Sequence, residues 1–207
     1  ILRVGLRQDS MNRLKKPLSV AIAQINPTVG DFDGNLRLVT CRVRHAHAAG
    51  ADIVIFSEMA LSGYPIWDLA NKIRFVDSCK KTLRKLMSST KSLRPAVVIG
   101  FVDRKPQNKK SYNALAVIYR GRIIHLQYKT LLPTYDVFLE QIFFLSGGPS
   151  RVFQFKNWII GTSICEDLWD EDYTDKPTAQ LCSQGAELII NISASPFHRN
   201  VEKIRDA

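Results

Sequence analysis

Four short stretches of the chain are almost continuously apolar: DIVIFSE (52–58), AVVIGFV (96–102), WIIGTSIC (158–165) and ELIINIS (187–193). Each is rich in β-branched residues, so each reads as a buried strand. Between the strands the period changes. Leu36, Val39, Val43 and Ala46 recur at helical spacing from Asn35 to Ala49, and Gly50 stops the pattern. Leu69, Ile73, Val76, Leu83 and Leu86 mark a second amphipathic helix, with LSGYPIWDL (61–69) as the loop before it. LSVAIAQ (18–24) alternates like a strand and runs into the turn formers of NPTVGDFDGN. YNALAVIYRGRIIHLQYK (112–129) reads as a hairpin turning at Arg120-Gly121, and RVFQF pairs with WIIGTSIC around Lys156-Asn157. A further helix is expected from Thr178 to Gln184. Strand, helix, strand, helix, then hairpins and strands imply a layered α/β protein.

In such sheets, chemistry gathers beyond the carboxyl ends of the strands. Three polar residues occupy that kind of position: Glu58 after DIVIFS, Lys129 after IIHLQY and Cys165 after IIGTSI. Taken singly they say little. A free cysteine usually packs as a small hydrophobe, and a carboxylate or lysine after a strand is usually solvated. Together they hold the parts for acyl chemistry on a thiol. The thiolate is the attacking form, a carboxylate can take the thiol proton, and an ammonium can stabilise the oxyanion that develops on an attacked carbonyl. The histidines compete poorly for the base role: His45 and His47 fall in a helix, His125 in mid-strand and His198 near the end.

Composition narrows the remaining classes. At 207 residues the chain suits one domain, expected over 18–207, with residues 1–17 as an N-terminal extension. That extension lacks the apolar core of a signal peptide, and no stretch is long and apolar enough to span a bilayer. The four cysteines, Cys41, Cys79, Cys165 and Cys182, are far apart and form no Cys-x-x-Cys pair. This argues against a zinc site or a disulfide framework and for a reduced, cytoplasmic setting. The net charge of +10 is spread over the chain, with only RLKK (13–16) and NKK (108–110) as short clusters. A solvated basic surface is the expectation, rather than a nucleic-acid or membrane face.

FSEMALSGYP, YKTLLPTYDVFLE and ICEDLW resemble, in order and spacing, the three catalytic blocks of the nitrilase (carbon–nitrogen hydrolase) superfamily, and QINPTVGDFDGN resembles its N-terminal strand–loop motif. The resemblance covers residues 18 to 207. SGYPIWDL, CEDLW and NISASPFHRN are similar to the glutaminase domain of glutamine-dependent NAD synthetases. The resemblance implies an αββα sandwich, with Glu58 as base, Lys129 as electrostatic stabiliser and Cys165 as nucleophile, acting on glutamine without metal or organic cofactor. It further implies that Glu140 helps to position these groups, with a surface carboxylate as the alternative. It gives Tyr135, Glu166, Trp169 and Ser195 contacts to the substrate, with a buried core role as the alternative for Trp169. A basic residue after SAS holds the substrate carboxylate in the family, and Arg199 and Lys203 both compete for that place.

Glutaminase domains of this branch continue through further strands after the SPF segment, so the domain is expected to be incomplete at its C-terminus and a poor glutaminase by itself. LSGGPS (145–150) lacks the Asp-Ser of an ATP-pyrophosphatase loop and reads as a glycine turn. The synthetase domain, with its ATP and Mg2+, is accordingly expected to be absent from this chain and to act as its partner. A homo-oligomer is also implied. The competing readings are a free-standing nitrilase-type amidase and a catalytically inactive fragment.

Overall fold

A computed structural model describes residues 2–4, 15–135 and 138–196. The strands β2 (Leu18–Ile22), β3 (Ile53–Ile55) and β4 (Ala96–Asp103) lie side by side and parallel, joined by the helices α1 (Phe32–Ala48) and α2 (Ile73–Thr90). Parallel neighbours need such crossovers, and the helical periods of the sequence supply them. The antiparallel hairpin β5 (Tyr112–Tyr119) and β6 (Arg122–Tyr128) extends one edge. Its turn sits at Arg120 and Gly121, both with left-handed φ (50° and 76°), as a tight two-residue hairpin requires. At the other edge β1 (Leu2–Val4), inside the stretch read as an extension, pairs antiparallel with β2. The order in this six-stranded sheet is β1-β2-β3-β4-β5-β6.

A second sheet, ordered β7-β8-β9, comprises β7 (Val152–Phe155), β8 (Trp158–Ile164) and β9 (Leu188–Ile192). The helix α4 (Pro177–Ser183) crosses from β8 to the parallel β9, and Leu181 packs over Gly161, where a Cβ would come within 3.0 Å of it. The two sheets face each other through Leu18, Val20, Val98 and Val117 on one side and Phe153, Trp158, Ile160 and Ile190 on the other. The outer face of the large sheet buries Val39 and Val43 of α1 and Leu83 and Leu86 of α2. The layers are therefore helix, sheet, sheet, helix, the αββα sandwich expected from the sequence. Apolar runs without alternation follow from this, because the central strands β3 and β4 are covered on both faces.

Two helix boundaries differ from the sequence reading. α1 begins at Phe32 rather than Asn35, because the Asp31 carboxylate accepts the Gly34 N–H (2.8 Å) and caps a helix that starts earlier. Leu69 belongs to a short 3-10 turn, Trp67–Asn71, and α2 begins only at Ile73, after an extended Lys72.

Candidate active site

Glu58 lies in the tight turn that follows β3. This turn is pressed onto β4: Leu61 N–H donates to the Gly100 carbonyl (3.2 Å), and Met59 takes a left-handed φ of 50°. Gly100 makes the approach possible, since a Cβ there would stand 2.2 Å from Met59 N and 2.7 Å from the Glu58 carbonyl carbon. Lys129 follows β6, and its N–H donates to the Asn113 carbonyl of β5 (2.8 Å). Cys165 follows β8 and opens a 3-10 turn, Cys165–Leu168, with a left-handed φ of 48°. A non-glycine residue pays for that conformation with about 1–3 kcal/mol, a strain that surrounding contacts must hold.

The side chains from these three strand ends converge. The Lys129 ammonium has no exposed surface and lies 3.0 Å from Glu58 Oε1 and 2.7 Å from Glu140 Oε2. Burial disfavours its charge, but Glu58 and Glu140 outweigh that and hold its pKa well above the usual lysine value. Glu140 begins the short helix α3 (Glu140–Phe143) and accepts the Tyr64 hydroxyl (3.2 Å). Burial, and then the neighbouring Glu58 charge, raise its carboxyl from 4.5 to about 7 against the pull of Lys129. Glu140 is 3 % exposed, which removes the surface-carboxylate alternative.

Glu58 is held from two further sides: Asn113 Nδ2 donates to Oε1 (2.6 Å) and the Ala194 N–H donates to Oε2 (2.9 Å). The same segment after β9 touches the thiol. Ser193 Oγ donates to Cys165 Sγ (3.3 Å), and Ser195 Oγ lies 3.4 Å from it. Residues 193–195 thus bridge the carboxylate and the sulfur. The Cys165 pKa is raised, first by burial and then by the Glu58 charge, with Lys129 acting the other way. A thiol in this setting carries its proton at neutral pH and needs a base to attack.

Beyond the thiol the site becomes more polar and open. Glu166 accepts the Tyr135 hydroxyl on both carboxylate oxygens (2.9 and 2.8 Å) and the Tyr173 hydroxyl on Oε1 (2.7 Å). Tyr135 is 54 % exposed and Trp169 is 44 % exposed, so the buried core role for Trp169 is excluded. Asp167 is fully buried, and its carboxylate accepts three backbone N–H groups, those of Thr130, Leu131 and Ile164. Arg199, Lys203 and His198 lie outside the described residues. Cys41 and Cys79 sit on α1 and α2 and Cys182 on α4; the buried Cys79 thiol is pushed up to about 12. Among the described residues no group of three His, Cys, Asp or Glu side chains could hold a metal ion.

Sequence reasoning missed Asn113, Tyr64, Tyr173, Ser193 and Asp167. Asn113 had a signal, as the one amide within the apolar run YNALAVIY. Asp167 had one too, as a carboxylate two residues after the thiol in a turn.

The carbon–nitrogen hydrolase family matches residues 19–204. The chain belongs to that family. This carbon–nitrogen hydrolase is 39 % identical over 184 residues to the glutamine-dependent NAD(+) synthetase of Thermotoga maritima, covering 88 % of this chain and 31 % of the relative. It is 36 % identical over 203 residues to the enzyme of the same name from Synechocystis sp., covering 91 % of this chain and 36 % of the relative. It thus spans about a third of the length of these relatives and matches their N-terminal part. Among solved structures, the glutamine-dependent NAD+ synthetase of Acinetobacter baumannii superposes with a TM-score of 0.79 at 28 % identity, over 91 % of this chain and 34 % of that one. The amidase of Nesterenkonia sp. AN1 superposes with a TM-score of 0.72 at 18 % identity, over 90 % of this chain and 70 % of that one, a likeness of fold.

Proposed function

We propose that this carbon–nitrogen hydrolase releases ammonia from the side-chain amide of glutamine through a thioester on Cys165, as the glutaminase part of a glutamine-dependent NAD synthetase. The observation that carries the reading is the buried Lys129 ammonium held between Glu58 and Glu140, with residues 193–195 touching both Glu58 and the Cys165 sulfur. The synthetase relatives supply the choice of glutamine.

Glu58 takes the thiol proton as Sγ attacks the amide carbon. The negative charge that forms on the carbonyl oxygen is stabilised by the Lys129 ammonium and by the Glu166 backbone N–H. Glu58 then returns the proton to the amide nitrogen, the C–N bond breaks and ammonia leaves, with the γ-glutamyl group as thioester. Water, deprotonated by Glu58, attacks the thioester and yields glutamate and the free thiol. Glu140 holds the Lys129 ammonium through an ion pair at 2.7 Å. Tyr135, Glu166, Trp169 and Ser195 form the substrate contacts, joined by Arg199 or Lys203 for the carboxylate. The half-reaction needs no cofactor. The ammonia serves a later ATP- and Mg2+-dependent amidation in which this site has no role.

The test is ammonia release from glutamine by the protein and by Glu58→Gln and Lys129→Met. Each variant should lose at least ~100-fold in rate, as for loss of a general base or an oxyanion partner. Turnover within a few-fold of the parent would remove that residue from the mechanism. Hydrolysis of short aliphatic amides in preference to glutamine would reassign the site to a general amidase.

A further inference from the structure

Asp167 is a buried carboxylate that the reaction scheme does not use. It has no exposed surface and no cation within salt-bridge distance among the described residues. Taking such a group out of water is costly unless its oxygens are satisfied. They are satisfied by backbone alone. Oδ1 accepts the Thr130 N–H (3.0 Å) and the Leu131 N–H (2.8 Å), and Oδ2 accepts the Ile164 N–H (3.1 Å). Its own carbonyl accepts the Thr178 hydroxyl (2.9 Å), which ties the turn to the start of α4.

The identity of those three donors matters. Thr130 and Leu131 directly follow Lys129, and Ile164 directly precedes Cys165. One carboxylate therefore fastens the chain that carries the ammonium to the chain that carries the thiol. The two come from different sheets, β6 in the large sheet and β8 in the small one. The bond to Ile164 also closes the turn in which Cys165 holds its left-handed φ of 48°. We propose that Asp167 is a positioning residue, which sets the distance between the Lys129 ammonium and the Cys165 sulfur and holds the strained turn that presents the thiol.

A purely structural carboxylate would behave differently from a positioning one. Asp167→Asn turns one acceptor oxygen into an amide donor facing backbone donors, at nearly unchanged volume. Resting on the glutaminase reading, the expected result is a fall in kcat of about 100-fold, as for a misplacement of about 1 Å, with KM within about threefold. The double variant Lys129→Met/Asp167→Asn should lose less than the product of the two single losses, because the ammonium that Asp167 positions is gone while the thiol-bearing turn it holds remains. A readout independent of glutamine is the rate at which iodoacetamide alkylates Cys165, with Cys182 as internal reference. That rate should change at least tenfold in Asp167→Asn, while Cys182 labelling stays constant.

Asp167→Ser, which leaves room for water, serves as a second variant, with the same shifts expected. Unchanged kcat and unchanged Cys165 alkylation would overturn the proposal, as would losses that multiply in the double variant. Failure of both single variants to fold would assign Asp167 to stability and also overturn it. If the parent protein does not hydrolyse glutamine, the glutaminase reading fails, and the alkylation ratio still decides the role of Asp167.

Discussion

Replacing Gly100 by alanine should disable the site without touching any group that reacts. Gly100 lies in β4, and the turn carrying Glu58 rests directly on it. An added Cβ would stand 2.2 Å from Met59 N, 2.7 Å from the Glu58 carbonyl carbon and 2.7 Å from the Ser57 carbonyl oxygen. Ordinary contact begins near 3.4 Å, so the turn must retreat by about 1.2 Å (3.4 less 2.2). All of the obstructing atoms are backbone, and Met59 already occupies a left-handed φ, so no side chain can swing aside instead. Glu58 would move with the turn, away from the Lys129 ammonium at 3.0 Å and the Ala194 N–H at 2.9 Å. A displacement of this size costs about 100-fold in rate, and overpacking costs about 1–3 kcal/mol of stability. Glutamine hydrolysis under saturating substrate, together with a thermal melt, measures both. A variant that folds and turns over within threefold of the parent would refute the close-packing argument for Glu58.

Other outcomes follow from the charges of the site. The fold raises the Glu140 pKa from 4.5 to about 7, so the folded state binds the extra proton and stability from this group falls as pH rises across that window. At about 1.4 kcal/mol per unit the full window is worth about 3 kcal/mol. Asp167, raised by burial from 3.8 to about 6, adds a slope of the same sign centred at lower pH, so the Glu140 share is largest toward pH 7. Denaturant titrations of the parent and of Glu140→Gln from pH 4 to 8 should show the slope above pH 6 flattened in the variant; equal slopes would contradict this. Asn113→Asp places a second carboxyl where a donor now lies 2.6 Å from Glu58 Oε1. The two carboxyls would share a proton, so the rate near neutral pH should fall at least tenfold and recover toward higher pH. An unchanged pH–rate profile would count against Glu58 as the base.

The layers of the fold were legible because burial on both faces writes continuous apolar runs, and the helices between them write a different period. Val54, Val98 and Ile190 each lie in such a run, and each is buried in the sandwich. The strand-end positions of Glu58, Lys129 and Cys165 were legible for the same reason, since a polar residue closing an apolar run stands out. The groups that hold them were not. Tyr64 and Asp167 act across 76 and up to 37 residues of sequence, on partners that only the folded chain brings near. Gly100 reads in sequence as an interruption of a strand, and its purpose depends on a turn from another segment. The exposure of Trp169 was equally hidden, because a tryptophan after an apolar run fits a core as well as a rim.

Cys165 is proposed as the thiol that takes the γ-glutamyl group. A diazoketone analogue of glutamine, which alkylates the attacking sulfur irreversibly, tests it most directly when the labelled peptides are mapped by mass spectrometry. The expected result is label on Cys165 alone, suppressed by excess glutamine and sharply reduced in Glu58→Gln. Label on Cys41 or Cys182 with Cys165 untouched would contradict it.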